Sequence, residues 1–313
     1  MRNLIGESSF DFVGKRRTAM FVSGALVTIA LLAILARGLN LGVDFTGGFT
    51  IEVGYDTPPD IQQIRDVLVA AELPDAAVQN FGSSTDILIR MAPPENGKGG
   101  AALSTDVLTA LTPTSATPVD IRRVEFVGPQ VGEELRETGG LAVLSALFAI
   151  VIYIWFRFEK KFSVGSVLAL VHDVVITVGI FALFQIEFDL TILAAILAVI
   201  GYSLNDTIVV FDRIRENFRN MRRGTPAEII NVSINQTLSR TVITSFTTLL
   251  VLTSLFIFGG KTISGFALAL IIGVIVGTYS SIFVASTTVL ALGITKEDMM
   301  PVEKEGADLD HIP

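Results

Sequence analysis

Ile192-Leu193-Ala194-Ala195-Ile196-Leu197-Ala198-Val199-Ile200-Gly201-Tyr202-Ser203-Leu204-Asn205-Asp206-Thr207-Ile208-Val209-Val210-Phe211 is an apolar run interrupted by one polar cluster. A run of about 20 such residues is what a helix needs to cross a hydrocarbon core of about 30 Å. Working outward from this span, drawn at 189–211, five more of the same kind fall at 18–37, 139–157, 163–185, 239–258 and 264–292. Half of the 313 residues are hydrophobic, and these runs hold most of them. The pattern predicts an α-helical polytopic membrane protein with six transmembrane helices. One soluble insertion, 38–138, lies between the first and second. The first span follows Lys15-Arg16-Arg17, as a signal peptide would, but it is too long for a typical h-region and Arg37-Gly38-Leu39 offers no small-residue cleavage site. It is read as a retained helix.

Lys and Arg set the expected orientation, because cytoplasmic loops carry the excess. They cluster in 1–17 (Arg2, Lys15, Arg16, Arg17), after the second span (Arg157, Lys160, Lys161) and in the loop 212–238 (Arg213, Arg215, Arg219, Arg222, Arg223). These segments alternate in the order six spans require. Both termini, including the charged tail 294–313, are expected in the cytoplasm. The insertion is expected outside. The tail from Thr295 reads as disordered.

Within the insertion, Phe49-Thr50-Ile51-Glu52-Val53 alternates as a half-buried strand. A helix with Pro at its start is predicted over 58–72, then strands over 77–81 and 86–91 around a Gly82-Ser83-Ser84 loop. A flexible linker over 93–100, a helix over 101–112 and a strand over 119–127 complete the order β-α-β-β-α-β, that of a ferredoxin-like α+β sandwich. Asp and Glu outnumber Lys and Arg here by 15 to 6, so the surface is acidic: either simply solvated, or suited to meeting basic unfolded segments.

Composition excludes several classes. The chain has no cysteine, which removes disulfides, thiolate nucleophiles and thiolate metal sites. With only two histidines, His172 and His311, a His-rich metal site is not expected, and no cofactor is. A net charge of −8 argues against nucleic acid, whose phosphates demand a basic surface. Gly260-Lys261-Thr262 looks like the end of a P-loop, but Leu255 stands where the earlier glycine is required. Gly273 and Gly277 read as a close helix-packing motif.

Ionisable residues inside apolar spans are costly and mark function by default. Asp206, beside Asn205, has Tyr202 and Ser203 one turn away, so the polar atoms are expected on one face. A carboxyl there can carry a proton, or it can pin helix packing. Arg240 opens the fifth span, with Thr244, Thr247 and Thr248 continuing its face. Counted along antiparallel helices, Arg240 and Asp206 lie at similar depth. Arg240 is either the cation that tunes Asp206 or a snorkelling interfacial side chain. His172-Asp173 lies in the middle of the third span and is either a proton relay or a structural hydrogen-bonded pair.

Several segments resemble one family. Val43-Asp44-Phe45-Thr46-Gly47-Gly48 is similar to the D-F-x-G-G signature that follows the first helix of the SecD/SecF family. Val127-Gly128-Pro129-Gln130-Val131-Gly132, with Leu135, resembles that family's lead into the second helix. The stretch Gly201 through Asn217 and the stretch Ser233-Ile234-Asn235-Gln236-Thr237-Leu238-Ser239-Arg240-Thr241 resemble its fourth- and fifth-helix motifs. The resemblance implies half of an RND-superfamily bundle. It implies pairing with SecD in a twelve-helix unit that works with SecYEG, YajC and YidC and uses the proton motive force to help preprotein export after SecA. It implies that Asp206 and Arg240 belong to the proton pathway, with protons the coupling ion. The outer lobe is expected to hold the emerging preprotein. No settled role comes with His172 and Asp173. An RND-type exporter of small molecules or lipids shares this architecture and would call for an apolar pocket in the lobe. An intramembrane enzyme would need a nucleophile or metal triad, which the sequence does not supply. A passive scaffold would keep its activity without Asp206.

Overall fold

A computed structural model of the chain describes residues 10–71, 73, 76–81, 83–92, 100–112, 119–221, 223–296 and 298. The expected 93–100 linker (all but Gly100), Gly82 of the hairpin loop, Arg2, Arg222, His311 and nearly all of the tail lie outside these residues. Among the described residues, six helices are long and apolar enough to cross a membrane. They are α1 (Arg16–Arg37), α5 (Pro129–Arg157), α6 (Lys160–Phe184), α7 (Leu190–Asn220), α8 (Pro226–Phe258) and a final composite helix. The last consists of α9 (Gly260–Ser280), a π-helical turn at Ser281–Ala285 and α10 (Ser286–Ala291).

Between α1 and α5 the chain forms β1 (Asn40–Leu41), a short α2 (Val43–Thr46), β2 (Gly48–Gly54), α3 (Ile61–Ala70), β3 (Ala77–Phe81), β4 (Ser83–Met91), α4 (Gly100–Leu111) and β5 (Asp120–Val127). The sheet order is β3-β4-β2-β5, every neighbour antiparallel. That order, with both helices covering one face, is the expected ferredoxin-like sandwich. Phe49, Ile51, Val53, Ile87 and Ile89 pack against Ile64, Leu68, Leu103 and Val107 on the helix side.

Three local expectations shift. The helix predicted over 58–72 begins only at Ile61, because Asp60 caps it by accepting the Gln62 N–H at 2.8 Å. Ser83 and Ser84 join β4 rather than forming a loop. On β2 the polar alternation does not face open water: Thr50 is 7 % exposed and Glu52 only partly exposed. The free face of the sheet lines a cleft whose other wall includes Gln185, Glu187, Asp189 and Ser264 of the bundle end.

Three apolar spans turn out to be one end of a longer helix: 139–157 ends α5, 189–211 opens α7 and 239–258 ends α8. The loop expected at 212–238 is helical except around 221–225. Phe211, Ile214 and Phe218 recur at helical spacing and bury against Ile229, Ile230 and Ile234 of the returning helix. Charges on the opposite face hide this amphipathic stripe from a hydropathy reading. Asn217 locks the hairpin by donating to Ser233 Oγ at 2.8 Å and Gln236 Oε1 at 2.9 Å, and Thr225 with Glu228 forms a capping box on α8.

Candidate functional site

Most of the polar side chains singled out by the sequence fall, among the described residues, in two groups and at one junction. The first group surrounds Asp206 on α7. The helix is apolar before and after it; Asp206 is 3 % exposed, and its Oδ2 has no hydrogen-bond partner among the described residues. The groups that act on its carboxyl are the Ser245 hydroxyl of α8 and the Arg240 charge. Ser245 shares a hydrogen with Thr278 of α9 at 2.7 Å and accepts from the Tyr202 hydroxyl at 3.5 Å. Arg240 is exposed, and among the described residues no ion pair joins it to Asp206. Asn205 is exposed as well. The Thr244 hydroxyl turns back on its own helix, donating to the carbonyls of Arg240 and Thr241 at 3.0 Å each.

Tyr202, Ser203 and Asp206 are neighbours on α7, as residues three and four apart are, but they meet different helices. Tyr202 and Asp206 reach Ser245 of α8, Ser203 reaches Asp173 of α6, and Asn205 is exposed. Ser203 donates to Asp173 Oδ2 at 2.5 Å.

Asp173 is the centre of the second group, 1 % exposed on α6. Its Oδ1 lies 2.8 Å from Nδ1 of His172, and its Oδ2 also accepts from Ser280 of α9 at 2.7 Å. The adjacent pair thus bonds to itself, and both side chains are buried. The His172 ring stacks on Tyr279 with centroids 6.2 Å apart. Tyr279 in turn donates to Ala19 O on α1 at 2.8 Å and pairs with Ser23 at 2.9 Å. The Gly273/Gly277 motif packs α9 against α7: a Cβ on Gly277 would meet Ser203 Cβ at 2.9 Å.

At the junction, the motif after the first helix is a joint between lobe and bundle. Gly47 (φ 68°) and Gly48 (φ 126°) need the positive-φ region. A Cβ on Gly47 would lie 2.8 Å from Pro129 Cα, and one on Gly132 would lie 2.7 Å from Gly47 N, so the backbone of the motif and the start of α5 touch directly. Asp44 accepts the Leu190 N–H at the start of α7. β1 pairs in parallel with β6 (Glu187–Phe188), between α6 and α7. Arg90 of β4 makes an ion pair with Glu187. Above the joint lies a cleft of about 380 Å³, lined by Asp44, Thr50, Glu52, Glu125, Glu187 and Asp189 among others. It is acidic, unlike the apolar pocket a drug-sized ligand would need.

Sequence reasoning missed Ser245, Thr278 and Ser280. The polar quartet Thr278-Tyr279-Ser280-Ser281 inside an apolar span was the available signal. Among the described residues no group of three or more His, Asp or Glu stands ready for a metal ion.

The comparisons with known proteins are consistent over the whole chain. Residues 107–295 match the family described as "Protein export membrane protein SecD/SecF, C-terminal", and residues 32–59 match the "SecD/SecF GG Motif". The chain is 50 % identical over 312 residues to a protein translocase subunit SecF of Vibrio alginolyticus, covering 99 % of each chain. It is 50 % identical over 305 residues to one of Escherichia coli O157:H7, covering 97 % of this chain and 94 % of the relative. Among solved structures, the crystal structure of SecDF, a translocon-associated membrane protein, from Thermus thermophilus matches with a TM-score of 0.82 at 38 % identity, over 91 % of this chain. This chain spans 39 % of the length of that SecDF chain.

Proposed function

This chain belongs to the SecD/SecF family of protein-export membrane proteins, and we propose that it couples proton entry at Asp206 to preprotein export. It is a multi-pass membrane subunit of the Sec export machinery. The proposed partner is SecD, which would complete the twelve-helix unit; SecYEG, YajC and YidC would join it in the larger complex, with unfolded preprotein handled by the lobe and lipid around the helices. The lobe is placed in the periplasm and both termini in the cytoplasm, on the Lys and Arg distribution.

The observation that carries this reading is the setting of Asp206. An unpartnered carboxyl oxygen stands at lipid depth, flanked by the exposed Asn205 and acted on by the exposed Arg240. Polar side chains left exposed at that depth call for another protein surface rather than lipid. Proton binding neutralises Asp206 and releases Arg240 from its attraction. Proton loss restores that attraction, so the charge on one helix biases the position of its neighbour. The drive is about 2.3 kcal/mol per charge per 100 mV of membrane potential. No covalent chemistry is needed.

The test measures ion flux and preprotein export in vesicles carrying SecD with the Asp206→Asn or Arg240→Met chain. Both variants are expected to assemble with SecD and lose proton-driven export. Full export by both at normal assembly would overturn the reading.

A further inference from the structure

We infer that His172 and Asp173 form a second proton-binding site, separate from Asp206 and set at the crossing of α6, α7 and α9. Ser203 Oγ at 2.5 Å and Ser280 Oγ at 2.7 Å both donate to Asp173 Oδ2, and His172 Nδ1 lies 2.8 Å from Asp173 Oδ1. Two hydroxyl donors on one oxygen favour a carboxylate, which is acceptor-only. In the proposed site Asp173 is the anion, and Nδ1 of His172 carries the hydrogen. That leaves His172 Nε2 with the ring's free lone pair. Nε2 is buried and has no partner among the described residues.

An unpartnered polar atom in the interior is costly, and a proton arriving with a water molecule is what the lone pair can take. The proton comes from water and bonds to Nε2. The ring becomes an imidazolium whose charge is matched by Asp173 through Nδ1–H, and deprotonation returns the hydrogen to water. The arrangement is that of a histidine oriented and balanced by a carboxylate. The groups facing the dyad are Ser203 from α7 and Tyr279 and Ser280 from α9, with Ser23 of α1 behind Tyr279.

The same geometry says what a change of charge would move. Ser203 precedes Asp206 on α7 by three residues, about 4.5 Å along the axis. Ser280 has a second acceptor, the Gly277 carbonyl at 3.1 Å, so its hydroxyl can turn away from Asp173. Ser280 also borders the π turn Ser281–Ala285, a type of irregularity common at functional sites. Charging the dyad therefore acts on α7 and on the irregular part of the last helix together.

The functional consequence rests on the proton-driven reading; the proton site itself does not, and the tests separate the two. The chain has two histidines, so a full-length His311→Gln chain, 15N-labelled at histidine and assembled with SecD in membranes, gives one imidazole signal. The expected spectrum shows hydrogen on Nδ1 with Nε2 bare at alkaline pH, and both nitrogens protonated on acidification. A ring that keeps a single state on acidification, or that carries its hydrogen on Nε2, overturns the site. A second variant, His172→Asn, places an amide N–H where Nδ1–H was and keeps the bond to Asp173, but holds no proton. Normal assembly with a flattened pH profile of proton-driven export is expected. A wild-type profile in that variant overturns the coupling role, whatever Asp206→Asn does.

Discussion

The carboxylate of Asp44 caps a helix it does not belong to, accepting the backbone N–H of Leu190 at 3.0 Å. Leu190 begins α7, the helix that carries Ser203 and Asp206, and Asp189 caps the same end from within by accepting Ile192 N–H at 2.8 Å. The acid of the motif after the first helix is thereby tied to the helix that carries Asp206. Replacing Asp44 with Ala should cost the ~0.5–2 kcal/mol typical of a lost cap. Hydrogen exchange at the amides of 190–192 reads it: faster exchange there, with the rest of α7 unchanged, is the expected result.

Gly47 should tolerate no side chain. Its positive φ and the nearness of Pro129 Cα leave alanine both strained and overpacked, at about 1–3 kcal/mol for the overpacking alone. Gly47→Ala should lower the melting temperature of the purified complex, and Gly38→Ala, with nothing within 4 Å of its Cβ, should lower it less. Equal losses would remove the packing argument.

The Arg90–Glu187 pair predicts an unusual pH response at the joint. Burial holds the Glu187 carboxyl above the ordinary range; Arg90 pulls it back, and Asp189 and Asp44 push it further up. A carboxyl raised in the folded state favours folding most when protonated. This contribution is full below the ordinary carboxylate pKa and fades as pH rises through the raised value. Docking of the lobe should therefore tighten on mild acidification, and Glu187→Gln should abolish that gain. Melting curves of both chains against pH decide it, and parallel curves would refute the assignment.

Ser245 stands between Asp206, Tyr202 and Thr278. Ser245→Ala removes the hydroxyl from Asp206, and one such hydrogen bond is worth ~0.5–1.5 kcal/mol, or roughly two- to ten-fold in an equilibrium. Proton-driven flux should fall by that order while assembly with SecD stays normal. Unchanged flux would place Ser245 outside the proton path.

Some of this architecture was open to inspection residue by residue. The β-α-β-β-α-β order of the lobe followed from alternation and turn residues, and Asp206 and Arg240 stood out as ions in apolar surroundings. The amphipathic extension of α7 did not, because its charged face outweighs the stripe formed by Phe211, Ile214 and Phe218 in any average along the chain. The separation of Ser203 from Asp206 was also hidden. Spacing places both on one helix and gives their relative angle, but not which neighbour each meets.

By itself, then, the sequence determined the six spans, the soluble lobe and the residues too polar for their surroundings, since hydropathy and backbone periodicity are properties of a chain read locally. Tertiary structure alone decided that Asp173 gathers Ser203 and Ser280, that Ser245 reaches Asp206, and that Asp44 holds the start of α7. Those contacts depend on how helices distant in sequence cross and rotate against one another. A hydrogen bond, unlike burial, exists only when two particular atoms come within about 3 Å.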